Sequence, residues 1–239
     1  MSTISGNAHL VSVVLGVKYR PNFGFGDKLG AIADKLLYSP NSFFDTNYFP
    51  ETVPDPLNRL LWNRQTRNNL RLGTHETILE VFNEEPGQLE PLANAINAFK
   101  KQIINSILKE HEVTEIIRIG YVRRFVIRDP SLAATFLNSF NGFRLNDIDD
   151  IDLKFTKTRP YSLSMALKEI NDKENVIYNF IKRAGIDELY VAIDFQRIFE
   201  PALIKIYDKF NFENFLSEAE NHSSNFLNKN LKQLVGMAA

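Results

Sequence analysis

Between residues 114 and 128 the chain alternates with a period of two, in the run T-E-I-I-R-I-G-Y-V-R-R-F-V-I-R. Successive side chains of a strand point to opposite faces, so this period predicts one. One face reads Ile117, Ile119, Tyr121, Arg123, Phe125 and Ile127, apolar with a single charged interruption. The other reads Ile116, Arg118, Gly120, Val122, Arg124, Val126 and Arg128, which gathers three guanidinium groups on one side. The same alternation predicts a half-buried strand over residues 10–20, with Val11, Val13, Leu15, Val17 and Tyr19 on one face.

Helical spacing appears elsewhere. Leu29, Ile32, Ala33, Leu36 and Leu37 predict a helix over residues 28–38, entered through the turn Phe23-Gly24-Phe25-Gly26 with Asp27 as a capping residue. That G-F-G-D-K-L-G segment lacks both the dinucleotide pattern and the G-K-[ST] of a P-loop, and reads as a strand-to-helix turn. Residues 39–56 carry four prolines and read as a loop. Residues 59–64 and 70–82 predict strands, the second bent at Gly73, with a turn at Asn68-Asn69. The strongest helix covers residues 90–111, with Leu92, Ile96, Phe99, Ile103 and Ile107 as its apolar stripe and Pro91 in the first turn. A shorter helix is predicted over 132–140. Strands follow at 152–158, 162–170, 175–183 and 188–198, a spacing that suits an antiparallel meander, with a short helix the alternative for 162–170. In the last of them Leu189, Val191, Ile193 and Phe195 face one way, and Asp194 and Gln196 the other. From residue 201 onward the pattern is helical, with a polar interruption at residues 221–225 and a fraying tail beyond Gly236.

These elements predict an α+β fold: a two-layer sandwich of mainly antiparallel sheet with helices packed on one face. The chain divides into an N-terminal α+β unit, 1–140, and a meander with a terminal helix, 141–239; two ferredoxin-like halves or one continuous domain both suit this grammar. A length of 239 residues allows either. Hydrophobic residues at 44% and charged residues at 24% are ordinary for a globular chain. Lys plus Arg total 28 against 29 for Asp plus Glu, which argues against a globally basic nucleic-acid binder but leaves a local basic face open. Cysteine is absent, which removes disulfides, thiolate metal ligands and cysteine nucleophiles. A polar N-terminus and the lack of a long apolar run predict a soluble cytoplasmic protein with no membrane association.

The segment I-R-I-G-Y-V-R-R-F-V-I resembles the central strand of a sporadically distributed, functionally uncharacterised family of prokaryotic proteins of about this length. The Ile193-Asp194 pair in a late strand and the Phe212-Glu213 pair opening the last helix are similar too. The chain departs from that pattern at Asp208 and Arg124, where many members carry His and Asn. The resemblance implies genes scattered among genomes, as in antiviral defence and mobile-element systems, and assigns no catalytic residues.

Candidate chemistry is sparse. His9, His75, His111 and His222 lie in different elements without metal-ligand spacing, and no cofactor or metal is predicted. Asp147, Asp149, Asp150 and Asp152 lack the Ca²⁺-loop pattern and read as a solvated acidic turn. Arg118, Arg124 and Arg128 on the central strand, with Arg64, Arg67 and Arg71 around the only tryptophan, are the candidates for anion or nucleic-acid binding. The competing expectation is that they pair with acidic residues of neighbouring strands. Phe43, Phe44, Tyr48 and Phe49 are the candidate partner-binding aromatics, the alternative being a flap folded onto the core. The function expected is that of a non-enzymatic protein binding a protein partner or a second copy of itself. An RNA- or DNA-binding protein or nuclease, using the arginine strand and with His75 the least implausible candidate for a base, is the alternative.

Overall fold

The computed structural model describes residues 8–40, 42–44, 47–51, 57–83, 90–129, 150–160, 172–183, 186–203 and 210–231. Among these residues nine strands form one sheet: β1 (Ala8–Tyr19), β2 (Tyr48–Glu51), β3 (Asn58–Asn63), β4 (Asn69–Gly73), β5 (Glu76–Phe82), β6 (Ile116–Ile127), β7 (Ile151–Pro160), β8 (Lys173–Lys182) and β9 (Leu189–Leu203). Their order is β2-β3-β4-β5-β1-β6-β9-β8-β7, and every neighbouring pair is antiparallel. The helices are α1 (Phe23–Gly26), α2 (Leu29–Tyr38), α3 (Glu90–Ala98) and α4 (Phe212–Asn225). Helix α3 continues into π-type turns over Phe99–Leu108, and α4 into others over Phe226–Asn230. This is an α+β protein with an antiparallel sheet, as the alternation predicts.

The central strand lies where both halves of the chain meet: β6 pairs with β1 on one side and β9 on the other. Its predicted faces hold from Arg118 to Phe125; before that a bulge puts Ile116, assigned to the open face, in the core and leaves Ile117 half-buried, and a bulge in β1 likewise buries Leu10 rather than Val11. Ile119, Tyr121 and Phe125 are buried, as are Val13, Leu15, Val17 and Tyr19 of β1 and Val191, Ile193 and Phe195 of β9. The helices bury their apolar stripes on this side. Phe25 of α1 packs edge-on against Tyr19 at 6.1 Å, and Phe215 of α4 lies 5.7 Å from Phe195. Arg123, the charged interruption of the apolar face, is 7% exposed; its guanidinium stacks over Phe125 and donates to the Glu220 carbonyl of α4. One buried cluster runs through all of these elements.

Several local expectations change. A strand, β2, lies inside the predicted loop, pairing Tyr48 with Asn63. Residues 70–82 form two strands folded back at Gly73, because Tyr19 donates its hydroxyl to the Gly73 carbonyl at 2.6 Å and locks the bend onto β1. A Cβ on Gly73 would collide with the Asn58 side-chain oxygen and lie 3.3 Å from the Glu76 carbonyl, so a larger residue fits there only if Asn58 moves. The β3–β4 turn is held by Asn63, whose side chain accepts from the Gln65 and Thr66 amides, and the positive φ falls on Arg67 rather than on an asparagine. Strand β9 runs on to Leu203, beyond the predicted start of the C-terminal helix. The polar residues 221–225 do not interrupt α4, because Ser223 returns its hydroxyl to the Ala219 carbonyl and His222 finds Tyr178. The predicted helix 132–140, strand 162–170, tail beyond Gly236 and residues Asp147 and Asp149 lie outside the described residues.

Candidate anion-binding site on the open face of the sheet

The face of the sheet opposite the helices carries the polar half of each alternation. Its centre is a trough about 110 Å³ in volume. The floor is made by Gly16 and Gly120, which are direct cross-strand partners on β1 and β6. Ile78 on β5 and Gln196 on β9 continue the row on either side. Val14 and Val122 close one end, and Lys18 and Arg118 the other. The alternation dictates this: residues two apart on β1 and β6 share a face, so Arg118-x-Gly120-x-Val122 and Val14-x-Gly16-x-Lys18 lie side by side.

Neither glycine is demanded by the backbone. Neither has positive φ, and a Cβ would meet nothing nearer than Ile78 Cγ1 at 3.5 Å beside Gly16, or Asp194 Oδ1 at 3.6 Å beside Gly120. Both are ordinary van der Waals separations. Two adjacent glycines in central strands weaken a sheet and leave its backbone open to close approach.

Lys18 and Arg118 sit directly opposite one another, an arrangement of like charges that destabilises a sheet. Neither forms an ion pair in the described structure. Glu76, the residue facing Lys18 from β5, lies 3.1 Å from Arg71 instead. Asp194, which faces Val122 from β9, has one carboxylate oxygen bonded by Gln196 and the other, Oδ1, buried without a hydrogen-bond partner. Burial pushes its carboxyl above the ordinary range, against the opposing hydrogen bond of Gln196 and the charges of Arg118 and Lys154.

The six predicted arginines do not act together. Arg124 is paired with Glu80 across β1, Arg128 with Glu188 at 2.8 Å and Arg71 with Glu76. Arg64 lies over the Phe49 ring, 5.4 Å from its centre, and Arg67 occupies the β3–β4 turn. Only Arg118 enters the trough. Its strongest companions, Lys18, Gly16 and Asp194, were not singled out as candidates by sequence; the signal was a glycine on each of two alternating strands, which only the register shows to be adjacent. Of the candidate aromatics, Phe44 and Tyr48 are buried, with ring centres 5.3 Å apart, and Phe43 packs against the same core. Phe49, at 46%, is the exposed one.

A second polar cluster joins α4 to the sheet. Arg197 and Glu174, 1% and 2% exposed, form an ion pair that Arg159 and Glu218 extend. Next to it His222 Nε2 and the Tyr178 hydroxyl are 2.6 Å apart. Burial holds the His222 pKa below the usual imidazole value, partly offset by Glu174. Every charge in this cluster has a partner within the chain, so it reads as the anchor of α4. His111 packs on Phe25 at 5.9 Å, and burial lowers its pKa as well. Asp150 pairs with Arg183 at 2.9 Å, and Asp152 is exposed on β7. Among the described residues no group of three or more His, Asp or Glu is placed to hold a metal ion, and no helix is long and apolar enough to cross a membrane.

No protein-family model matches the chain, and no curated protein matches it.

Proposed function

We propose that the chain is a non-enzymatic binding protein that recognises an anionic group at Lys18 and Arg118 on the open face of the sheet. The observation that carries this reading is the placement of two unpaired cations directly opposite each other, while Arg71, Arg124 and Arg128 are each matched by a glutamate. Holding two like charges together is unfavourable until an anion lies between them, and a guanidinium beside an ammonium suits a phosphate or carboxylate. Titration with inorganic phosphate at low salt tests it. Binding should be lost in Lys18→Met/Arg118→Met and kept in Arg124→Ala; equal binding by all three proteins would refute the assignment.

A protein partner or a second copy of the chain is the second reading. It is favoured by Phe49 and Leu57, both 46% exposed near the β2–β3 edge of the sheet. Concentration-dependent mass in solution, abolished by Phe49→Ser, would support self-association. An extended nucleic-acid interface is weakened by the internal pairing of the arginines. For architecture we adopt a two-layer arrangement, supported by helices that bury on a single face. The order β4-β5-β1-β6, crossed by α2 and α3, supports a ferredoxin-like first half with the β2–β3 hairpin inserted. A cytoplasmic place in a prokaryotic defence or mobile-element system rests on the sequence resemblance and composition.

A further inference from the structure

We propose that the trough and its cation pair form one site for a free nucleotide, with the phosphate between Lys18 and Arg118 and the flat base lying on Gly16 and Gly120. This inference rests on the anion reading above and adds to it the rest of the ligand. Three observations lead there.

The floor comes first. Two glycines facing each other across β1 and β6 expose bare backbone where every neighbouring position on these strands presents a side chain. The structure around them tolerates a Cβ at both positions, so internal packing does not account for the pair. A flat ring can lie on such a floor, bordered by the aliphatic side chains of Val14, Ile78 and Val122. Second comes the spacing. Lys18 and Arg118 are two residues along their strands from the glycines, about 7 Å at the rise of a β-strand. They line both the trough and a larger hollow on the far side, about 450 Å³, that also includes Arg20. A base in the smaller space and a sugar phosphate toward the larger one would place the phosphate at the cations. The third observation is Asp194. Its Oδ1 lies beside Gly120, in the trough lining, and lacks a donor. Buried acceptors without donors are unfavourable, and a ligand bearing exocyclic N–H groups would supply one.

The test is isothermal titration calorimetry of the full chain with inorganic phosphate, AMP and the octamer (rA)8 at low salt. The variants are Gly120→Val, which fills the floor, Asp194→Leu, which removes the acceptor, and Lys18→Met/Arg118→Met; circular dichroism checks that each is folded. The expected result is AMP binding at least tenfold tighter than phosphate. Gly120→Val should weaken AMP about tenfold and leave phosphate unchanged, and Asp194→Leu should weaken AMP about tenfold while phosphate binds at least as tightly as before, since a nearby negative charge is removed. AMP no tighter than phosphate, or AMP binding indifferent to both Gly120→Val and Asp194→Leu, would overturn the nucleotide inference while the anion reading stands. Phosphate and AMP binding that both survive Lys18→Met/Arg118→Met, or no binding of either, would overturn both. An octamer bound more tightly than AMP would overturn the free-nucleotide form and assign the face to a nucleic-acid strand.

Discussion

Replacing both floor glycines with alanine separates a structural reason for them from a ligand-based one. In the middle of a strand, glycine is less stable than alanine by about 0.5–1 kcal/mol, because it loses more backbone freedom on folding. That gain is realised only where the new Cβ fits. At Gly16 its nearest contacts are 3.5 and 3.9 Å away, at Gly120 they are 3.6 and 3.8 Å away, and neither φ is positive. Each single substitution should therefore stabilise the protein by about 0.5–1 kcal/mol, and the double variant by about 1–2 kcal/mol if the facing methyl groups do not conflict. For a chain of this size each kcal/mol moves the thermal midpoint by roughly 2–4 °C. Urea denaturation of wild type, the two singles and the double gives the free energies, and AMP titration of the same proteins gives the function. The expected pattern is a more stable protein that binds less. Gly73→Ala is the contrast, since its Cβ would collide with the Asn58 side-chain oxygen and lie 3.3 Å from the Glu76 carbonyl, and it should lack this gain in stability. If Gly16→Ala/Gly120→Ala is instead destabilising by about 1 kcal/mol or more, the sheet itself needs the glycines. The trough would then lose its main support as a ligand floor.

Arg197→Met should destabilise the protein by about 3–5 kcal/mol, because it leaves the buried Glu174 without its inner partner and releases Glu218 of α4; a urea midpoint close to wild type would refute the anchoring role. His222 has a folded-state pKa below its unfolded value of 6.5, so its contribution is complete above pH 6.5 and is lost as the pH falls through that value toward the folded pKa. Thermal midpoints measured from pH 8 to pH 5 should fall in this window, and less so in His222→Gln. Asp194 has the opposite displacement: its raised pKa means that stability present below 3.8 is lost as the pH rises through the folded value. Asp194→Asn should therefore stabilise the protein at pH 7, with the gain shrinking toward pH 4; equal gains at both pH values would refute an ionised, buried carboxylate.

Much of the fold is legible in local pattern. Period-two alternation identifies β1, β6 and β9 and assigns their faces except at the bulges beside Val11 and Ile117, including Arg123 on the buried side and Asp194 on the open one, since both follow from strand geometry alone. The spacing of Leu92, Ile96, Phe99, Ile103 and Ile107 marks the long helix, and all five are buried, together with Ala95, Ala98, Ile104 and Leu108. Local pattern misleads where long-range contacts supply what the segment lacks. Strand β2 contains a proline within a proline-bearing segment yet pairs with β3, and residues 221–225 stay helical, with His222 bonded to Tyr178 and Ser223 to the Ala219 carbonyl.

For the site, sequence determined that Arg118, Arg124 and Arg128 share a face and that Lys18 is on β1, but not which charges neutralise each other. Register decides that. It sets Glu80 beside Arg124 and Lys18 opposite Arg118, and it brings Gly16 against Gly120 from positions more than a hundred residues apart. A shift of one residue in the β1–β6 pairing would break up both the cation pair and the glycine floor, since side chains alternate with a period of two. The amino-acid sequence by itself thus determined the strands and their faces, because these depend on neighbours along the chain. Only the tertiary structure decided which arginines are free and where the backbone lies bare, because those depend on which strands lie side by side.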